Sequence, residues 1–397
     1  MLRGSVQCPV LRKACKDGRF SKKDSECKNF KTRHGFCFLM DTEERFELIR
    51  QVGEEILTEQ ELRTLLETKQ HPVAYDGFEP SGQMHIAQGI LRAINVNKMI
   101  KAGVHFRMWV ADWFGWMNNK YGGDLEKIRV CGEYMIEVWK ACGMKTENIE
   151  FLWSKDVMAD DEYWKKVVQV GRNSTVQRII RCSQIMGRSE SEQLSAAQIF
   201  YPCMQCADIF HLKADMTQLG MDQRKVKVLA RELGPKLGFW KPVVVSHHML
   251  MGLNKPRADI SDPVERAIAM KMSKSVPGSA IFMTDSEEEV KSKISKAYCP
   301  ERQVEENPLM DYCRYMIFEK FRTFGVKREK RFGGNISFDS YEKLASEYRN
   351  GGIHPSDLKS AVSESINEML EPVRNHFETN TKARKLLEQV RGFGVTR

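Results

Sequence analysis

Two spacings of apolar residues occur along the chain. From Asp41, the stretch DTEERFELIRQVGEEILTEQELRTLLETK carries apolar residues at steps of three and four after an Asp-Thr cap, which predicts a helical region. Short apolar runs between turns follow, and these are typical of buried strands. The predicted strands are PVAYDGF, VHFRMWVADWF, IEFLWS, about six residues of ADMTQLGMD, and KPVVVSHHML.

Helical stretches separate these strands. GGDLEKIRVCGEYMIEVWKACGM has Asp124 near its start and Gly143 at its end, and the segment after ADMTQLGMD predicts a helix that ends at Gly234. This alternation predicts right-handed crossovers and a parallel sheet, so the expected class is α/β. After about residue 290 the pattern is helical with little strand, which predicts a helical C-terminal domain.

The composition, with 42% hydrophobic and 29% charged residues, is ordinary for a soluble globular protein. The apolar runs are far shorter than the about 18 residues of a membrane span, so we expect no membrane partner. Eleven cysteines at irregular spacings, without an apolar signal segment, favour free thiols in a reducing compartment. We therefore expect a cytoplasmic location.

The net charge of +9 is concentrated in a basic N-terminal arm. Residues 1–40 contain ten Lys and Arg residues against three Asp and Glu residues, so seven of the nine charges lie there. Three interpretations remain open: a solvated tail, a contact with nucleic acid, or a targeting segment. The cysteines of the arm lack the Cys-x-x-Cys spacing of a zinc site.

The turn in AYDGFEPSGQMHIAQG, residues 74–89, is the first candidate for chemistry. It has neither the P-loop pattern nor the dinucleotide glycine pattern. Gly77 and Gly82 would let the backbone approach a ligand, and His85 could donate a hydrogen bond to a phosphate oxygen. The alternative is a turn that only requires glycine, with His85 half-exposed.

Two other segments also suggest contacts with a nucleotide. In QLGMDQRK, residues 218–225, Gly220 ends the predicted strand, and Asp222 suits either a ribose hydroxyl or an ordinary helix N-cap. KMSKS, residues 271–275, places Lys271 and Lys274 in a loop of small residues. These lysines could contact a polyphosphate or could lie on solvated surface.

The segment QIFYPCMQCADIFHL, residues 198–212, places polar residues on one helical face. Tyr201, Gln205 and Asp208 share that face among apolar neighbours, and Pro202 suits a first helical turn. Buried polar groups need partners, so this face predicts either a polar ligand or an internal hydrogen-bond network. Cys203 and Cys206 have no second pair of ligands nearby, so we expect packing thiols and no metal site.

The motifs together resemble a known family. His85-Ile86-Ala87-Gln88 resembles the His-Ile-Gly-His motif of class I aminoacyl-tRNA synthetases, with Gln88 in place of the second histidine, and KMSKS is their second signature. The resemblance runs from about residue 42 to the C-terminus and leaves out residues 1–41 and the run NKPRADISDPVERAIAM. YDGFEPSG, YPCMQCADI, GMDQRKVKVLARE, SKAYCP, RFGGN and HPSDLK are similar, in order and spacing, to the archaeal and eukaryotic tyrosyl-tRNA synthetases.

This resemblance implies three parts: the extension 1–41, a Rossmann-like parallel-sheet catalytic domain at 42–290 with an insertion near 151–200, and an all-helical anticodon-binding domain at 291–397. It implies activation of L-tyrosine with ATP to tyrosyl-adenylate and transfer to the terminal adenosine of tRNA(Tyr). Mg²⁺ would accompany ATP, held mainly by the phosphates. A homodimer is implied as well, through the insertion.

The resemblance also implies roles for individual residues. Tyr75 and Asp208 would bind the phenolic hydroxyl, and Tyr201, Gln205 and Gln223 the ammonium and carboxyl end. His85, Gln88, Lys271 and Lys274 would act on the phosphates. The remaining ATP-binding residues would be Gly77, Gly220, Asp222, Met272, Ser273 and Ser275.

The resemblance further implies an anticodon site in the C-terminal domain. Phe332 and His354 would stack on the first anticodon base, and Asp357 would hydrogen-bond it. The alternatives are that Phe332 is a core residue and that Asp357 caps a helix.

Three other functions remain as alternatives. A tryptophanyl-tRNA synthetase shares the fold, although Tyr75 and Asp208 suit a phenol better than an indole. A synthetase-like protein that binds RNA or signals without charging tRNA is supported only by the altered histidine motif with Gln88. Another nucleotidyl transferase of similar architecture would not need Phe332, His354 and Asp357.

Overall fold

The computed structural model describes residues 40–186, 193–256, 260–261, 263–274, 276 and 278–393. Residues Thr42–Arg397 form one compact unit. The basic arm and Ser275 lie outside the described residues, so the predictions made for them stay predictions. Within the described residues, no helix combines the length and apolar character needed to cross a membrane.

Six strands form the main sheet: β1 (Gly53–Leu57), β2 (Val73–Phe78), β3 (His105–Val110), β4 (Ile149–Trp153), β5 (Met216–Thr217) and β6 (Val243–His247). Their order is β1-β6-β5-β2-β3-β4. β1 is antiparallel to β6, and all other neighbours are parallel. The sheet is therefore a mostly parallel α/β sheet, as the strand–helix alternation predicts.

Helices cover the sheet and continue beyond it. Those of the sheet region are α1 (Thr42–Arg50), α2 (Glu59–Thr68), α3 (Arg92–Lys101), α4 (Asp112–Met117), α5 (Leu125–Ala141), α6 (Asp161–Arg172), α7 (Val176–Cys182), α8 (Ala196–His211), α9 (Arg224–Leu233) and α10 (Pro263–Met270). The C-terminal region contains α11 (Glu287–Lys296), α12 (Pro308–Tyr312), α13 (Phe318–Lys320), α14 (Tyr341–Asn350), α15 (Pro355–Thr379) and α16 (Thr381–Gly392).

The C-terminal region is mostly helical, as predicted, but it also contains an antiparallel ribbon. The ribbon pairs β7 (Phe324–Val326) with β8 (Ile336–Phe338). Its strands have only three residues each, which is too short for an alternating pattern to stand out in the sequence. Every residue described after β8 up to Gly392 lies in or between helices.

The structure corrects the prediction of a continuous helical region after Asp41. α1 and α2 are separated by β1, which begins at Gly53 and pairs with the edge of β6. A Cβ at Gly53 would lie 2.7 Å from Ile56 Cγ1 and 3.2 Å from Val245 Cγ1, so the start of the strand requires glycine. The helical spacing of the flanking residues concealed this strand.

Two apolar cores lie on opposite faces of the sheet. Ala74 of β2 belongs to one core, and its neighbour Tyr75 belongs to the other. The first core continues from Phe106 in β3 to Leu344 and Val362 in the C-terminal helices. The sheet region and the C-terminal helices therefore share one apolar core, and the predicted boundary at residue 290 stays a prediction.

Candidate active site

The predicted site residues meet in one cavity at the carboxyl ends of β2 and β5. From β2 the chain moves outward to β3 and β4, then returns to β5 on the other side, so the cavity lies where the strand order reverses. Ligands bind at such positions in open α/β sheets. The cavity has a volume of about 840 Å³. Its lining includes Tyr75, Gly77, His85, Gln88, Tyr201, Gln205, Asp208, Gly220, Asp222, Gln223, Lys271, Met272, Ser273 and Lys274.

One end of the cavity is built by helix α8. Ser195 and Gln198 form a capping box, so the helix begins six residues before Pro202. The prediction that Pro202 lies in a first turn was wrong, because these capping residues start the helix earlier. The predicted polar face is nevertheless present, and its residues Tyr201, Gln205 and Asp208 are all buried.

Asp208 lies at the centre of this end. Its Oδ1 accepts a hydrogen bond from the Tyr163 hydroxyl at 2.9 Å, and its Oδ2 accepts one from the Tyr75 hydroxyl at 3.5 Å. Burial raises the pKa of the Asp208 carboxyl well above its usual range, although the tyrosine hydroxyls oppose the shift. Tyr163 was not predicted as a site residue, because it lies on α6 with no motif around it.

The other polar residues of this end also have protein partners. The Tyr201 hydroxyl donates to Glu79 Oε1 at 2.9 Å, and Gln205 Nε2 donates to Gln223 Oε1 at 3.0 Å. The predicted internal hydrogen-bond network therefore exists. It lines an open cavity, so it does not replace the ligand interpretation.

Cys203 and Cys206 are buried free thiols, in agreement with the predicted packing role. Burial raises the pKa of Cys203 to about 11, which keeps this thiol protonated. Within the residues that the structure describes, no group of three His, Cys, Asp or Glu side chains could hold a metal ion.

The opposite end of the cavity contains His85, which is buried and not half-exposed. A backbone bridge to Phe282 holds it, with Ile86 N–H donating to the Ile281 carbonyl at 3.0 Å. Its Nδ1 has no hydrogen-bond partner among the described residues, and neither has Gln88 Oε1. Burial, together with Lys274 and Lys271, lowers the pKa of His85 well below its usual range. A neutral imidazole with an unpaired nitrogen suits a polar ligand.

The KMSKS segment lies over the same end. Lys274 Nζ donates to Ser81 Oγ at 3.3 Å, and burial lowers the pKa of Lys274 to about 8. Lys271 Nζ forms an ion pair with Asp222 at 2.7 Å. Both lysines line the cavity, so the interpretation of KMSKS as ordinary solvated surface was wrong. Two ammonium groups beside His85 make this end electropositive, as phosphates require.

Asp222 is not the N-cap of α9, which was one of its two predicted roles. A short 3₁₀ turn, Met221–Gln223, begins at Gly220 without a side-chain cap hydrogen bond. The Asp222 carboxylate binds Lys271 instead. Burial opposes the charge, but Lys271 outweighs it and lowers the pKa of Asp222.

Lys227 holds the turn at Gly220 through hydrogen bonds to its backbone, and this role was not predicted from the sequence. Its ammonium is buried and donates to the Gly220 carbonyl at 2.9 Å, the Leu219 carbonyl at 3.3 Å and Ser246 Oγ at 2.6 Å. Burial lowers its pKa to about 7. In the sequence, Lys227 looks like any exposed helical lysine.

Asp76 and Arg92 form an ion pair in the cavity lining that was not predicted from the sequence. Arg92 Nε lies 3.1 Å from Asp76 Oδ2, and both side chains are almost fully buried. Burial raises the pKa of Asp76 to about 7, although Arg92 opposes the shift.

The predicted anticodon residues lie in two adjoining segments of the C-terminal region. Phe332 ends a 3₁₀ turn and is 60% exposed, so the alternative of a core residue was wrong. His354 is the N-cap of α15 and accepts a hydrogen bond from Ser356 N–H, so Asp357 is not the cap. Arg328 donates to the carbonyls of Gly334 and Gly352, which ties the two segments together.

A family model described as class I tRNA synthetases (W and Y) matches residues 67–371. The chain is 50% identical over 366 residues to tyrosine–tRNA ligase 1, cytoplasmic, of Arabidopsis thaliana, covering 91% of this chain and 92% of the relative. The chain belongs to the class I tyrosyl-tRNA synthetases. Class I synthetases use ATP as a substrate. Two solved synthetases have the same fold as this chain.

The first of these structures is the tyrosyl-tRNA synthetase of Leishmania major in complex with tyrosinol, with a TM-score of 0.81 and 45% identity. It matches 90% of this chain, and the match spans 61% of the Leishmania chain. The second is the enzyme of Pyrococcus horikoshii complexed with L-tyrosine, with a TM-score of 0.82 and 38% identity over 89% of this chain and 100% of that chain. Membership of the synthetase family confirms the predicted family and fold class.

Proposed function

We propose that the cavity joins L-tyrosine to ATP, and that the tyrosyl group is then transferred to the terminal adenosine of tRNA(Tyr). One observation carries this proposal: a buried end suited to a phenol and an electropositive end suited to phosphates belong to the same cavity. A reaction between a tyrosine carboxylate and the α-phosphate of ATP requires both ends at one place.

At the buried end, Asp208 and Tyr75 bind the phenolic hydroxyl of the substrate. Tyr201, Gln205 and Gln223 hold its ammonium and carboxyl end. A site built to hydrogen-bond a hydroxyl leaves its own groups unpaired when phenylalanine binds, and tyrosyl-tRNA synthetases are the usual example of this effect. The pair of Asp208 and Tyr75 also disfavours an indole, which argues against a tryptophanyl-tRNA synthetase.

At the electropositive end, the carboxylate of tyrosine attacks the α-phosphate and pyrophosphate leaves. His85 donates to the phosphate as charge develops, while Lys271 and Lys274 bind the leaving group. Gln88 can hydrogen-bond a phosphate but cannot carry charge. Gly77, Gly220 and Asp222 seat the nucleotide, with Met272, Ser273 and Ser275 beside it. ATP enters with Mg²⁺, which is held mainly by its phosphates.

The C-terminal region is proposed to bind the anticodon. Phe332 offers an exposed ring, with the Arg331 guanidinium 4.8 Å from its centroid. His354 is exposed and lies in the adjoining segment, and Asp357 follows in the first turn of α15. Stacking between side-chain rings and an unpaired base is the usual mode for single-stranded RNA.

A homodimer is proposed through the region near residues 151–200. Val168, Val176 and Phe200 lie there and are more than half exposed. Exposed apolar side chains in this region are compatible with a protein partner, as the resemblance implies. A cytoplasmic location is proposed because two similar Arabidopsis proteins are named cytoplasmic.

The test of this function is a charging assay with labelled tyrosine, ATP and total tRNA. We expect tyrosine to become attached to tRNA and labelled tryptophan to remain free. RNA binding without charging would contradict the proposal and would favour the non-catalytic alternative. Adenylate formation without any transfer to tRNA would favour another nucleotidyl transferase.

A further inference from the structure

His248 follows β6 directly and lies between two carboxylates. Its Nδ1 is 3.2 Å from Glu54 Oε2 in β1, and its Nε2 is 2.9 Å from Asp311 Oδ1 in α12. Because each nitrogen faces an acceptor, both must donate, and the ring carries a positive charge. Burial opposes that charge, but Asp311 and Glu54 outweigh it and raise the pKa of His248 to about 10.

The surroundings of the ring are otherwise aromatic and basic. The His248 ring stacks on Tyr315, with 3.9 Å between centroids and 14° between planes. The Arg314 guanidinium lies 5.3 Å from the Tyr315 centroid and also acts on Glu54. The charged and titratable groups around His248 are thus Glu54, Asp311, Arg314 and Tyr315.

Helix α12 also holds both backbone groups of Met251. The second oxygen of Asp311 accepts the Met251 N–H at 2.9 Å. The Tyr312 hydroxyl, which is fully buried, donates to the Met251 carbonyl at 2.9 Å. The segment after His248, up to Met251, is therefore fixed against the C-terminal region.

This segment pairs directly with Lys271 and Met272 of KMSKS. Met251 and Lys271 form an antiparallel bridge, and Met272 N–H donates to the Leu250 carbonyl at 2.8 Å. A continuous series of contacts therefore links α12 to the backbone of Lys271, one of the two lysines in the cavity. His248 itself also lines the cavity.

We propose that His248 is a positioning residue that fixes the segment up to Met251, and through it Lys271, against helix α12 of the C-terminal region. The inference rests on the proposed function and deepens it, since the C-terminal region then sets where Lys271 meets ATP. Without the imidazolium, Glu54 and Asp311 would lose the cation between them. Because Asp311 also accepts the Met251 N–H, α12 would then no longer hold the segment up to Met251 in place.

The kinetic test is amino-acid-dependent ATP–pyrophosphate exchange by His248→Gln. We expect the KM for ATP to rise at least about fivefold, the lower end of coupling between sites, with the KM for tyrosine unchanged. Tyr312→Phe removes one hydrogen bond without removing a charge, and we expect the same split on a smaller scale. It keeps the inference testable if His248→Gln does not fold.

The matched control is His376→Gln. His376 Nε2 lies 3.0 Å from Glu137 Oε2, and this contact joins α15 to α5. Neither His376 nor Glu137 lines the cavity. This variant loses a comparable contact between the same two regions, so it should leave both KM values unchanged. An equal rise in the KM for ATP in His376→Gln would show general loosening and would overturn the inference.

Hydrogen exchange separates the inference from the proposed function. We expect faster amide exchange at Met251 and Met272 in His248→Gln than in the wild type or in His376→Gln. A wild type without tyrosine-dependent pyrophosphate exchange would remove the proposed function, and hydrogen exchange would still decide the link. Unchanged exchange at both amides, or an unchanged KM for ATP, would overturn the inference.

Discussion

At the scale of single residues, several polar groups at the buried end of the cavity are partners for one another. Asp208 has Tyr163 and Tyr75, and Gln205 has Gln223. A buried polar group without a partner costs about 1–3 kcal/mol, so these contacts stabilise the polar lining of the buried end. A bound tyrosine then adds or replaces hydrogen bonds that phenylalanine cannot offer.

Asp208→Asn tests this interpretation of the pocket. The amide can still pair with Tyr163, but it changes the hydrogen bond to the substrate. We expect kcat/KM for tyrosine to fall about 10- to 100-fold, the worth of a hydrogen bond of this kind. Steady-state pyrophosphate exchange measures the change, and the KM for ATP is the control quantity, which should stay unchanged. A comparable rise in the KM for ATP would point to structural damage instead of a lost contact with the substrate.

Lys227 predicts a pH dependence of stability. Its pKa is about 7 in the folded chain, whereas the ordinary lysine value of 10.5 applies to the unfolded chain, so between these values the unfolded chain binds the extra proton. The cost of burying the ammonium is therefore complete below pH 7 and decreases as the pH rises.

The comparison for this prediction is Lys227→Met, which removes the titrating group. Urea unfolding at about pH 7, 8 and 9 should show the wild type gaining stability relative to Lys227→Met by up to about 1.4 kcal/mol per pH unit. A difference that stays constant with pH would contradict the assignment.

At the scale of elements, the sequence predicts long and capped segments well. α5 begins after its cap Asp124 and ends before Gly143, as its pattern indicates. β1 was not predicted because the helical spacing of its flanking residues concealed it. β5 has two residues where the sequence predicted about six, since the length of a strand depends on its neighbours in the sheet. The predicted start of α8 was wrong because Pro202 is typical of a first helical turn, whereas the capping box of Ser195 and Gln198 starts the helix six residues earlier.

The turn before α9 can be tested by Gly220→Ala. The φ angle of Gly220 is −62°, which alanine adopts easily, so any effect must be steric. The added Cβ would lie 2.6 Å from Asp222 Oδ1 and 2.7 Å from Met249 Sδ. We expect the KM for ATP to rise about tenfold or more, because small displacements in a site are costly, and the KM for tyrosine to change little.

The control for Gly220→Ala is Gly171→Ala in α6, where a new Cβ would have no atom within 4 Å. Pyrophosphate exchange should be unchanged in this variant, and its stability equal or higher by about 1 kcal/mol. If Gly220→Ala behaves like Gly171→Ala, the turn does not seat the nucleotide.

At the scale of the whole molecule, distant segments build the site, and this limited what the sequence could show. Motif residues such as His85 and Lys271 could be found because each lies in a recognisable string. Tyr163 lies outside such strings, whereas Glu79 and Lys227 lie within YDGFEPSG and GMDQRKVKVLARE, where nothing in the string indicates their contacts. Only the fold shows what these three residues bind. The shared core between the sheet and the C-terminal helices was likewise not readable from apolar spacing.

Phe332→Ala tests the proposed division of work between the two regions. Stacking on one base is worth about 1–3 kcal/mol, so kcat/KM for charging tRNA should fall about 10- to 100-fold. Pyrophosphate exchange should be unchanged, because Phe332 does not line the cavity. A tRNA with a different first anticodon base is the control, and Phe332→Ala should lose little further activity on it. Full charging by Phe332→Ala would exclude Phe332 from the anticodon site.

The most direct measurement of the central claim is ATP–pyrophosphate exchange by the wild-type chain with tyrosine, tryptophan and phenylalanine in separate reactions. We predict exchange with tyrosine alone, because the proposed roles place a phenol against Asp208 and Tyr75 at one end of the cavity and phosphates against His85, Lys271 and Lys274 at the other. All five residues line the cavity. Exchange with tryptophan in place of tyrosine would contradict the assignment of the buried end. No exchange with any of the three would contradict activation itself, and would show that Gln88 cannot replace the second histidine.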